Sequence, residues 1–155
     1  MIPVFQTRFG DEGNCLAACF ASIIEVPLDR LDFSCSDAQE PGAWYSLALS
    51  KLKPLGWAYY DVRCGVSPDG HREVSVPPGT YFIASGHTRR SQTRLHAVVV
   101  LAEPGGRHRL AHDPHPDGTG IGDAVYVGFL VPLIENQSPA TPQPSHKEPP
   151  HEEAL

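Results

Sequence analysis

Residues 10–25, GDEGNCLAACFASIIE, decide how the rest of the chain is read. A polar, glycine-bearing loop runs straight into a segment, residues 16–24, that is small or apolar everywhere except Ser22. A helix apolar on all sides is one that a fold buries. Asn14 suits the N-cap, since its side-chain oxygen can accept from the free N–H groups of the first turn. Cys15 then falls in that first turn, where the positive end of the helix dipole favours an anion and eases loss of the thiol proton below its free value of roughly 8.5. A polar loop that delivers a thiol to the tip of a core helix displays a nucleophile. Free cysteine is also among the most buried residue types, and for a lone cysteine simple packing is the commoner reading. The choice therefore rests on partners elsewhere in the chain.

On either side of this stretch the order of elements is legible. Residues 1–9 read as an extended arm leading to the loop, Pro27 as the stop of the first helix, residues 28–33 as a short helical turn and residues 34–41 as a loop. A second helix is predicted over residues 41–55, with Pro41 in its first turn and Trp44, Leu47, Ala48, Leu52 and Leu55 as its apolar stripe. Pro54 and Gly56 end it. The aromatic run 57–63, WAYYDVR, predicts a strand, followed by a glycine- and proline-rich loop over 64–79. Further strands are expected over 80–84, 94–102, 107–113 and 124–133. A polar loop is expected over 85–93, a turn over 103–106 and a glycine-rich loop over 114–123. Helices first and an antiparallel sheet afterwards make an α+β layout.

The chain of 155 residues is long enough for one domain with a core of its own. That domain is expected over residues 1–134. Residues 135–155, ENQSPATPQPSHKEPPHEEAL, carry five prolines and no aromatic residue, the composition of a disordered tail. A net charge of −6 argues against nucleic acid as a partner, which asks for a basic face. The start, MIPVFQTRFG, lacks the pattern of a secretory signal, and no apolar run is long enough to span a membrane. A soluble, cytoplasmic protein with no membrane contact is the expectation. Cys15, Cys19, Cys35 and Cys64 do not have the spacing of a small secreted framework and read as four reduced thiols.

A thiol hydrolase needs a base beside the thiol, a group to orient that base, and donors for an oxyanion. His96 stands in the apolar run LHAVVVL at 95–101, the setting of either a satisfied core histidine or a positioned base. Asp113 lies at the end of the next strand, and two antiparallel strands joined at 103–106 can bring the two together, the carboxylate fixing the imidazole tautomer. His112 alternates with Asp113, so the two face opposite ways. Gln6 can offer a side-chain N–H to an oxyanion, and the backbone N–H of Cys15 a second.

Gln6, the loop GDEGNC, the small-residue helix after Cys15, HAVVV at 96–100 and HDP at 112–114 together resemble the papain-like cysteine peptidases. The likeness is closest to the bacteriocin-processing peptidases that cleave after a double-glycine leader, and compact stand-alone proteins of bacteria and their phages look similar. The resemblance implies a papain-like α+β fold in which the helix led by Cys15 packs on an antiparallel sheet. It implies Cys15 as nucleophile, His96 as general base and acid, Asp113 as its orienter and Gln6 in the oxyanion hole. It implies a peptide or protein substrate and no cofactor. The family has Asp-Cys-Gly at the nucleophile where this chain has Asn14-Cys15-Leu16. Deamidation or transfer to an amine would use the same acyl-enzyme.

Arg89, Arg90 and Arg94, just ahead of His96, suit either a solvated loop or a clamp for a substrate carboxylate. Asn14, beside the nucleophile, is a further candidate for substrate contact, and His87 with the loop 118–122 is expected to border the same cleft. Two other classes stay open: an inactive binding module on the same fold, and a zinc protein using Cys15, Cys19, His112, Asp113 and His115, residue types that ligate zinc but without a recognised spacing. No metal site is the expectation. Trp44, Trp57, Tyr59 and Tyr60 read as core, as does Cys19.

Overall fold

The structure, a computed structural model, describes residues 1–40, 42–64, 66–67, 70–71 and 75–134. The segment 135–155, expected to be a disordered tail, and Pro41, expected to open the second helix, lie outside the described residues.

Helix α1 spans Cys15–Ile24 and buries every residue from Ala17 to Ser22. Its single polar member has a task. Ser22 donates its hydroxyl to the carbonyl of Ala18 at 2.8 Å and accepts the N–H of Val4 at 2.9 Å, which fastens the N-terminal arm along the helix. The helix stops at Glu25, in the left-handed region at φ 60°, ahead of Pro27. Short 3-10 turns follow at Leu28–Arg30 and Cys35–Asp37. The second lies within the stretch expected to be plain loop. Ser34 and Asp37 form a capping box around it, each side chain accepting the other's backbone N–H or that of a neighbour, and this supplies the local order. Helix α2, Trp44–Leu52, is shorter than the predicted span. It tightens into a 3-10 turn at Lys53–Leu55 and ends at Gly56, whose φ of 78° is a conformation glycine adopts without strain.

The strands are β1 (Trp57–Arg63), β2 (Val66–Ser67), β3 (Gly70–His71), β4 (Tyr81–Thr88), β5 (Ser91–Glu103), β6 (Arg107–His112) and β7 (Ala124–Pro132). β2 and β3 pair with each other, and the remaining five form one antiparallel sheet in the order β1-β7-β4-β5-β6. The fold is thus α+β. The main departure from the sequence reading is at residues 85–93. Both flanking strands continue through this polar stretch and turn at Arg89–Arg90, with Thr88 opposite Ser91. Thr88 Oγ1 accepts the N–H groups of Arg90 and Ser91 at 3.1 and 3.2 Å and holds the turn. The arm carries little apolar sequence because residues 92–95 face solvent.

Helix α1 packs on β5, against the sheet face that carries Tyr59, Ile83, Ala97 and Val99. The opposite face carries Phe82, Val100, Ala102 and Val127. Apolar residues on both faces explain why 97–102 reads as an unbroken apolar run rather than an alternating one. Gly128 is required by packing: a Cβ there would run into the Tyr59 ring, which closes over β7. Among the described residues no helix is long and apolar enough to cross a membrane.

Candidate active site

The arm at residues 1–9 is strapped at several points, and each strap helps set Gln6. The N–H of Gln6 donates to the carbonyl of Pro114 at 3.0 Å. His112, at the end of β6, donates Nε2–H to the carbonyl of Val4 at 2.8 Å and meets Phe5 edge to face. Asn14 does most. Its Oδ1 accepts the N–H groups of Thr7 and Arg8, both at 3.0 Å, and its Nδ2 donates to Thr7 Oγ1 and to Asp32 Oδ1. These bonds correct two expectations. Asn14 makes no capping bond to α1, and it does not face a substrate: it is 1% exposed and spent on the arm and Asp32.

The straps deliver Gln6 to a cavity of about 470 Å³ that Cys15, His96 and His115 also line. The Gln6 Nε2 donates to the carbonyl of Arg8 at 2.9 Å, and its Oε1 is buried without a partner. A side-chain amide has two N–H donors, so one fixes the group and a second is left over. Cys15 opens α1, and its backbone N–H is one of the first-turn donors with no acceptor inside the helix.

His96, on β5, meets Asp113 where the chain leaves β6. The Nε2 to Oδ1 distance is 2.7 Å, with Asp113 7% exposed. The carboxylate is held from three sides: Oδ1 also accepts the N–H of His115 at 2.8 Å, and Oδ2 that of Gly120 at 2.7 Å. A register shift between Val99 and Val100 on the β5–β6 edge precedes this exit. An ionised carboxylate only accepts, so His96 carries its proton on Nε2 and leaves Nδ1 as the nitrogen able to take one.

Charges follow burial. Burial would raise the Asp113 carboxyl, but the His96 bond and the two backbone N–H groups outweigh it and hold the group below the usual carboxylate range. Burial lowers His96, and the bond and charge of Asp113 push back only in part, so the imidazole ends below its ordinary 6.5. Burial raises the Cys15 thiol, against a pull downwards from the backbone N–H groups of Ala97, Leu16 and Cys15 itself. The sequence reading expected a lowered thiol from the helix terminus alone; desolvation reverses the sign. Cys15 makes no hydrogen bond to His96 in this structure, and burial favours the uncharged form of both groups.

No protein-family model and no curated protein matches the chain.

The remaining sequence candidates divide. Arg90 and Arg94 line the cavity, but Arg90 is paired with Asp117 at 2.5 Å and Arg94 with Asp11. Neither is an unspent clamp. Arg89 and His87 lie instead along a separate cavity beside residues 119–123. His112 belongs to the arm, as described. Cys19 is fully buried in the core, all four cysteines carry free thiols, and no group of three His, Cys, Asp or Glu side chains able to hold a metal occurs among the described residues.

Two features escaped the sequence reading. The sequence offers His115 only as a zinc candidate, yet its ring stands 6.2 Å from that of His96, edge to face, with Phe9 packed on it at 5.2 Å. The signal was its place two residues after Asp113, between Pro114 and Pro116, in a turn that folds back on the site. The second feature is another cavity, of about 320 Å³, which Cys15 and His96 also line and which extends over the sheet to Trp44, Asp61 and Tyr126. The sequence held no local sign of it, because its walls come from seven separate elements.

Proposed function

We propose that the chain is a papain-like thiol hydrolase that cleaves a peptide, isopeptide or side-chain amide bond through Cys15, His96 and Asp113. The observation that carries this reading is the 2.7 Å His96–Asp113 pair, whose His96 opens with Cys15 and Gln6 on one cavity. The carboxylate fixes the tautomer that leaves Nδ1 free to accept, which a merely packed histidine would not require. The exposed side chains of Phe9 and Leu95 flank this cavity and suit an extended substrate.

In the reaction, the substrate carbonyl enters beside Cys15. His96 takes the thiol proton on Nδ1 as sulfur attacks, a C–S bond forms, and the oxyanion accepts from the spare Gln6 N–H and the Cys15 backbone N–H. Asp113 stabilises the imidazolium. As the tetrahedral intermediate collapses, the C–N bond breaks and His96 returns the proton to the departing amine. Water, deprotonated by His96, then releases the acyl group and restores the thiol. With ammonia as the leaving group the same steps deamidate a side chain; with an amine in place of water they transfer the acyl group.

One observation favours a second reading. The half-buried thiol, pushed up by burial and without a hydrogen bond to His96, also suits an inactive module that binds the same extended ligand. Trapping separates the two. The protein is mixed with a diverse peptide pool, quenched in acid, and the Cys15 peptide is weighed. The hydrolase reading predicts a thioester on Cys15 in the wild type and at least about a hundredfold less of it in His96→Ala. An unmodified Cys15 across the pool, with peptides still bound, would instead establish the module.

A further inference from the structure

We infer that the cavity running from Cys15 to Asp61 selects a substrate carrying a cationic side chain, lysine- or arginine-like, beside the bond that is attacked. The inference rests on the hydrolase reading and names the substrate class of that site.

The argument starts from the sheet register. On β1, Tyr59, Asp61 and Arg63 share one face. Asp61 lies opposite Gly128, which lies opposite Ile83, which lies opposite Val99. Ile83 and Val99 belong to the core beneath α1, so Asp61 is aimed into the face that the helices cover. The next row, Tyr126, Ser85 and Ala97, shares that face and also lines the cavity. Helix α1 ends its cover at Cys15, and α2 begins at Trp44. The 320 Å³ cavity opens between those two helix starts and the sheet, with Asp61 in its wall.

A carboxylate in that position has no evident structural task. Among the described residues it forms no ion pair with Lys, Arg or His, Arg63 on the same face included, and the one hydrogen-bond donor acting on its carboxyl is its own backbone N–H. The other charged groups near the thiol are already matched: Arg94 with Asp11, Arg90 with Asp117, His96 with Asp113. Asp61 is therefore a carboxylate without a cationic partner, half-buried in a wall that is aromatic and apolar but for Ser85, His96 and the thiols of Cys15 and Cys35. Burial holds its carboxyl above the usual carboxylate range, and an arriving cation would relieve that strain on the charged form. The aromatic lining suits the same guest, since a cation beside Trp or Tyr rings is attracted by them as well as by the carboxylate. An anionic side chain would meet repulsion, and a neutral one would leave the carboxylate desolvated and unpaired.

The test uses three chloroacetamides that differ only at the end of a butyl arm: ammonium, methyl or carboxylate. Labelling rates at Cys15 are read by peptide mass spectrometry and normalised to Cys64, which removes the general attraction of a negatively charged protein for cations. The inference predicts that the ammonium arm labels Cys15 about tenfold or more faster than the methyl arm, as expected for one partly buried charge pair. The carboxylate arm is slowest. Asp61→Asn brings the ammonium-to-methyl ratio close to one, and Asp61→Lys favours the carboxylate arm. In the unmodified protein, millimolar butylammonium slows the ammonium arm at Cys15 and spares Cys64. Equal rates for the three arms in wild type, or a preference that survives Asp61→Asn, overturns the selectivity while leaving the hydrolase reading intact. If iodoacetamide labelling of Cys15 does not respond to His96→Ala, the hydrolase reading fails and the inference falls with it.

Discussion

Asp113 decides the most at the scale of single residues. Three donors converge on it, and its charge is what opposes the downward pull of burial on His96. Replacing it by Asn removes that charge while keeping the shape. Both contributions that raise the imidazole then weaken, so the His96 pKa should fall further below 6.5 in Asp113→Asn, read from the ring-proton shifts by NMR. The rising limb of any pH–rate profile should move to lower pH with it, because a base works in its unprotonated form. The rate on the plateau should drop by about a hundredfold or more, since the tautomer is no longer fixed. A purely structural Asp113 would cost stability without moving the imidazole titration.

Among the elements, the arm at residues 1–9 matters as much as the helix it runs along. Gln6 reaches the cavity only because Ser22, His112 and Asn14 hold the backbone around it. Asn14→Ala removes four hydrogen bonds and leaves Asp32 and two backbone N–H groups short of a partner. It should cost on the order of 2–4 kcal/mol in urea unfolding. Hydrogen exchange should speed up at the amides of Thr7 and Arg8 before it does in β5, and turnover should fall through loss of the Gln6 donor. The sequence showed that Asn14 precedes the helix but not where its side chain goes, because capping propensity is local and the Asp32 and Thr7 contacts are tertiary. The hairpin at Arg89–Arg90 was missed for a related reason. Strand periodicity is read from apolar residues, and β4 and β5 continue past the core on polar ones. The core segments of both strands, the aromatic β1 and the buried helix were legible because burial itself writes their pattern.

For the molecule as a whole, β7 is the last strand among the described residues yet lies between β1 and β4. No local signal encodes that insertion, and it is what places Tyr126 and Gly128 beside Asp61. The charges at the site also set an acid limit on the fold. His96 is held below its free value, so as pH falls below about 6.5 the unfolded chain takes up a proton that the folded chain resists, and stability declines. Asp113 and Asp37 are held below the usual carboxylate range, Asp37 chiefly by Arg8. Their stabilisation is complete above about pH 4 and is lost as pH falls through their folded values. The melting temperature should therefore decline in two stages, and His96→Ala should flatten the first, which begins below about pH 6.5, while keeping the second. A single acid transition identical in both proteins would contradict this assignment of charges.

The central claim, that His96 activates Cys15, is tested most directly by the iodoacetamide alkylation rate of Cys15 against pH, in wild type and in His96→Ala. The account predicts that in the wild type the rate rises through the titration of His96, below about pH 7. Without the imidazole, burial acts on the thiol alone, and the onset should move above the free value of roughly 8.5. A Cys15 that alkylates with the same pH dependence in both proteins, no faster than Cys64, would contradict it.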